Sequence, residues 1–150
     1  MSIATASVAE TPVEALADTV ARIEEQLGAR VGVSFVDTGS SWSWSHREDE
    51  LYLMNSTVKV PVCGAILARR DAGTLSLSDA LPVREADPVP YAPVTETRVG
   101  GTMTIDELCL AALDMSDNVA ANILIAHLGG PEAVTQFFRR VGEPYKPHAI

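Results

Sequence analysis

The chain has 150 residues, 47% of them hydrophobic and 21% charged, with a net charge of −9. That length fits one ordinary domain, and the composition is globular rather than disordered or fibrous. The acidity argues against nucleic acid and anionic membrane surfaces as partners. No run approaches the roughly 18 apolar residues of a membrane-crossing helix.

The first ten residues lack a basic stretch followed by an apolar run, so no signal peptide is expected and the compartment stays open. Thr11-Pro12-Val13-Glu14 has the form of a capping box with proline at the first helical position. Val13, Leu16, Val20, Ile23 and Leu27 recur at helical spacing, and Gly28 is a stop signal, so a helix is predicted over 12–27. Val31–Val36 is β-branched and alternating, Asp37–Ser40 is a turn, and Trp42–His46 alternates again. These predict a hairpin, with Leu51–Leu53 as a further short strand.

From Thr57 the pattern turns helical up to Gly73. Pro61 falls inside that helix, where it predicts a kink or a 3₁₀ start. Arg69-Arg70 reads as a solvated face of the same helix, not as a binding patch. Residues 74–103 are rich in proline and turn formers and are predicted to form one long ordered loop. Thr104-Ile105-Asp106-Glu107 is a second capping box, opening a helix to about Met115. Ser116-Asp117-Asn118 interrupts, Val119–Leu128 is helical, and Pro131 opens a last helix that ends near Val141-Gly142.

Two stretches carry chemistry. Ser56-Thr57-Val58-Lys59 is an S-x-x-K string at the mouth of a helix. Residues three apart share a helical face, so the lysine amine can lie against the serine hydroxyl. A serine is a weak nucleophile until a neighbouring base takes its proton, and a buried lysine of lowered pKa is such a base. Alone the string is weak, since a capping serine and a surface lysine give the same letters. Ser116-Asp117-Asn118 is equally bland as an N-cap string. Together, in order and each at a helix boundary, the two say more.

In their surroundings the two strings resemble class A serine β-lactamases. The resemblance rests on Leu53–Lys59, on Ala86–Glu96, on Met103–Cys109 leading to Met115–Asn122, and on Leu128–Gly142, and it covers about residues 12–142. It implies an α/β (α+β) fold of the β-lactamase/transpeptidase type. This chain would be its N-terminal part: a helix, a β-hairpin, then a mostly helical domain. It implies a hydrolase that opens penicillins or cephalosporins through an acyl-enzyme, with no metal or other cofactor. Ser56 would be the nucleophile, Lys59 its proton acceptor, and Ser116 the relay to the lactam nitrogen. Tyr91 would flank the substrate and Asn118 would hold its side-chain amide. Cys63 and Cys109 stand where many members place a disulfide; their separation is not the spacing of a metal site.

Two family features have no counterpart. The Ω-loop glutamate that activates the deacylating water would fall about 36 residues after Ser116. The lysine-threonine-glycine strand that walls the site is also absent. Residues 143–150 read as an off-pattern tail, and Glu143 falls too early to replace the glutamate. The expectation is a single, truncated domain spanning 1–150, doubtful in turnover by itself and open to complementation by a C-terminal fragment. Neither His127 nor His148 is expected to act in catalysis. Two alternatives stand: a penicillin-binding or D-Ala-D-Ala peptidase relative, and a non-catalytic remnant.

Overall fold

The computed structural model describes residues 12–85 and 90–141. The described residues divide between Tyr52 and Leu53 into two compact units. The first holds α1 (Pro12–Leu27) and an antiparallel hairpin of β1 (Val33–Val36) and β2 (Ser43–His46). The second holds α2 (Lys59–Asp71), β3 (Ala80–Pro82), β4 (Thr102–Thr104), α3 (Ile105–Asp114), α4 (Asn118–Leu128) and α5 (Pro131–Arg140).

In the first unit α1 follows the expected bounds; the Thr11 cap lies outside the described residues. The hairpin pairs Val33 with His46 and Val36 with Ser43. Its turn is built by Asp37, whose carboxylate accepts from the Gly39 N–H at 2.8 Å and the Ser40 hydroxyl at 2.6 Å. Phe35 and Trp44 stack across the strands with centroids 6.1 Å apart. Val20 is the one buried apolar residue described in this unit. Ion pairs also join its elements. Glu24 of α1 accepts from the Val31 N–H and from Arg47 Nε, both at 2.8 Å, while Glu50 pairs with Arg47 and Arg30, both at 2.6 Å.

The second unit carries the core. Val62 and Ile66 of α2, Ile105 and Leu108 of α3, Leu124 of α4 and Val134 of α5 are all buried together. Each helix therefore presents one apolar stripe to a shared centre, which is how a helical layer buries its surface. The capping box at Thr104 forms as expected: Glu107 N–H donates to Thr104 Oγ1 at 3.1 Å and Thr104 N–H donates to Glu107 at 2.8 Å.

Two expectations change. Leu51–Leu53 is not a strand. The predicted loop over 74–103 contains β3, and β3 pairs antiparallel with β4 in the register Ala80 to Thr104 and Pro82 to Thr102. The 3₁₀ start expected from Pro61 is present. A 3₁₀ turn at Asn55–Val58 precedes α2, so Pro61 is the third α-helical residue. Proline is tolerated in this first α-helical turn, where its fixed φ suits the helix. The tail over 143–150 and His148 lie outside the described residues. No described helix is long and apolar enough to cross a membrane.

Candidate active site

The site is built from two helix starts. The 3₁₀ turn exposes Ser56 and leads directly into α2, whose first residue is Lys59. The junction between α3 and α4 supplies Ser116, Asp117 and Asn118. Three residues around this site hold left-handed backbone without being glycine: Asn55 at φ 47°, Tyr91 at φ 65° and Ser116 at φ 54°. Such conformations persist only where surrounding contacts over-determine them, and they gather at functional sites.

Lys59 is buried, at 4% exposure. Its Nζ lies 3.1 Å from Ser56 Oγ, 2.8 Å from Ser116 Oγ, 2.6 Å from the Ser116 carbonyl oxygen and 2.7 Å from Asn118 Oδ1. The Ser116 hydroxyl donates in turn to Ser56 Oγ at 2.8 Å. The two hydroxyls and the amine thus form a closed triangle.

Burial pushes the Lys59 pKa below the ordinary lysine value of 10.5, and the charge of Asp117 opposes this only in part. Once deprotonated, this amine is oriented by its partners. A carbonyl and an amide oxygen can only accept, so the two closest contacts take two N–H groups. A neutral amine has then spent its hydrogens, and its lone pair is left for the Ser56 hydroxyl, since the Ser116 hydroxyl donates to Ser56. This arrangement can take a proton from Ser56 and pass one through Ser116.

Asp117 is fully buried and completely satisfied. Its carboxylate accepts from Val94 N–H at 3.0 Å, Thr95 N–H at 2.9 Å, Thr95 Oγ1 at 2.9 Å and Ala120 N–H at 2.9 Å. Burial alone would raise its pKa, but these donors together outweigh it and hold the carboxyl below the usual value. The rim segment is fastened to the same turn. Asn118 N–H donates to the Tyr91 carbonyl at 3.1 Å, and Asn118 Nδ2 donates to the Pro90 carbonyl at 2.6 Å. The Tyr91 side chain is 62% exposed at that rim.

Of the residues singled out in the sequence, Ser56, Lys59, Ser116 and Asn118 meet directly, and Tyr91 joins them through its backbone. Cys63 and Cys109 are neighbours, the Cys63 sulfur lying 3.9 Å from the Cys109 carbonyl oxygen. The resemblance implied a disulfide between them; in the structure both are free cysteines, and the Cys63 thiol is directed at a carbonyl rather than bonded to sulfur. The thiol of Cys109 is pushed up by its hydrogen bond with Cys63 and by burial. Sequence reasoning missed Thr95 and the central place of Asp117. The N-cap character of Ser116-Asp117-Asn118 was the available signal for Asp117: its side chain caps α4 through Ala120.

A mostly helical α/β unit that presses a serine–lysine turn against a serine–aspartate–asparagine turn defines a narrow class of proteins. The chain belongs to the β-lactamase enzyme family, which it matches over residues 15–146. It is 85% identical over 144 residues to a β-lactamase of Rhodobacter capsulatus, an alignment spanning 96% of this chain and 49% of that protein. Among solved structures it is similar to a β-lactamase from Xanthomonas campestris, at 39% identity and a TM-score of 0.81, over 87% of this chain and 49% of the other. It is likewise similar to the class A β-lactamase of the last common ancestor of Gram-negative bacteria, at 43% identity and a TM-score of 0.80, over 87% and 50%. The chain therefore spans about half the length of the relatives it matches. Its fold is that of the β-lactamases, α/β and mostly helical.

Proposed function

We propose that this chain carries the acylating half of β-lactam hydrolysis. The carrying observation is the triangle of Ser56 Oγ, Lys59 Nζ and Ser116 Oγ, with sides of 3.1, 2.8 and 2.8 Å. Neutral Lys59 takes the Ser56 hydroxyl proton as Oγ attacks the lactam carbonyl carbon. The developing oxyanion meets the Ser56 backbone N–H at the helix mouth, where the dipole favours negative charge. The carbon–nitrogen bond then breaks. Ser116 gives its proton to the leaving nitrogen and regains one from the Lys59 ammonium, so the step ends with neutral amine and an ester on Ser56. Tyr91 borders the substrate, and Asn118 orients its amide while holding Lys59.

Among the described residues, the hydrogen bonds on Ser56 Oγ come from Lys59 and Ser116, and no carboxylate reaches it. Among the described residues no carboxylate is therefore placed to activate a deacylating water, and the acyl group is proposed to stay on Ser56. Incubating the chain with a fluorescent penicillin and taking an intact mass tests this. One stable adduct, absent from Ser56→Ala, is expected. Adduct formation by Ser56→Ala, or fast turnover of nitrocefin without a lasting adduct, would overturn it.

A further inference from the structure

We propose that Thr95 is a positioning residue for this site, fastening Asp117 and through it the turn that aims Ser116 and Asn118 at Lys59. The inference rests on the acylating role proposed above for Ser56.

Thr95 stands in a 3₁₀ turn (Thr95–Arg98) and is 1% exposed. Its hydroxyl lies 2.9 Å from Asp117 Oδ1 and 3.0 Å from Oδ2, and its N–H donates to Oδ2 at 2.9 Å. Both of its donors therefore end on one carboxylate. A buried hydroxyl without a partner is costly, so Thr95 is suited to this place only while the carboxylate is there. The reverse also holds. Asp117 is a buried anion, and burying a charge is tolerated only when it is fully hydrogen-bonded.

What Asp117 fixes is the backbone beside it. Ser116 takes left-handed backbone at φ 54°, strain that a serine holds only under constraint. Asp117 supplies the constraint on one side: its N–H donates to the Ala111 carbonyl and its carboxylate caps Ala120. Both Ser116 oxygens and the Asn118 side chain then converge on Lys59 Nζ, at 2.6 to 2.8 Å. Loosening the carboxylate frees this turn, although Thr95 itself touches neither Lys59 nor Ser56.

The test compares Thr95→Val, which keeps the shape and removes the hydroxyl, with Thr95→Ser, which keeps the hydroxyl. Folded Thr95→Val is expected to acylate Ser56 about ten- to a hundredfold more slowly, the scale of a small misplacement of reacting groups. Thr95→Ser is expected to restore most of the rate. The second readout is the titration of Lys59, followed by the NMR shift of its ε-carbon. In Thr95→Val the midpoint should rise toward the ordinary lysine value, because the carboxylate is less compensated and the site better solvated; Thr95→Ser should bring it back. A role confined to stability would lower the melting temperature and leave both readouts unmoved in the folded fraction, and that result overturns the proposal. Should Thr95→Val not fold, Thr95→Ala is judged by the same two readouts. If the unmodified chain forms no adduct, the β-lactam reading falls, while the Lys59 titration still decides the role of Thr95.

Discussion

At the scale of single residues the chemistry turns on how Lys59 is held. Burial lowers its pKa, so the folded chain releases this proton at a lower pH than the unfolded chain does. Over the interval between those two values the unfolded state binds more protons, and stability rises with pH. The same shift makes neutral amine available at a lower pH. The rate of Ser56 labelling by penicillin should therefore climb with pH, with a midpoint below the ordinary lysine value of 10.5. Lys59→Met should lose at least about a hundredfold in that rate, the weight of a positioned base. Rates measured from pH 6 to 11 check both statements. A midpoint at the ordinary lysine value, or a Lys59→Met chain that labels normally, would remove Lys59 from the role of base.

Elements place these residues, and here the sequence was unevenly legible. The long helices could be read from period and caps: α1 keeps its predicted bounds, and α3 starts on the capping box at Thr104. Pro131 opens α5 after Gly130, whose backbone at φ 97° and ψ 179° lies in a region almost closed to other residues. A Cβ added there meets no atom within 4 Å, so the cost of Gly130→Ala is purely conformational. It should be about 2 kcal/mol. A lower denaturant midpoint at an unchanged slope would show it, and an unchanged midpoint would refute it. The β3–β4 pair was illegible because strands of three residues, Ala80–Pro82 and Thr102–Thr104, are too short for alternation to register. The 3₁₀ start before α2 was legible from Pro61, because proline is not accommodated deep inside an α-helix. Ser56, Lys59, Ser116 and Asn118 followed from motif letters. Thr95 could not, since its contact with Asp117 crosses 22 residues and belongs to no spacing rule.

Across the whole molecule the two units differ in apolar burial and in ion pairing, and the consequence of that difference can be measured. The second unit has a shared apolar core, whereas the first has Val20 buried and a charge network around Glu24. Glu24 is held down to about pKa 2 by the Val31 N–H and by Arg47, against an ordinary 4.5. Its contribution to stability is thus fully present above pH 4.5 and is lost as pH falls toward 2. Glu50, paired to Arg47 and Arg30, and Asp37 in the hairpin turn are shifted in the same direction. Exposed ion pairs also weaken with salt, whereas apolar burial does not. The sequence has two tryptophans, Trp42 and Trp44, and both lie in the first unit. Tryptophan fluorescence therefore reports that unit, while helical circular dichroism is dominated by α2 to α5. On acidification from pH 5 to 2 the fluorescence should change before the helical signal, and added salt should widen the gap. Glu24→Gln should shift the fluorescence toward its acid value at neutral pH and flatten its dependence between 4.5 and 2. Coincident transitions by both probes, unaffected by Glu24→Gln, would mean that the charge network does not hold the first unit together.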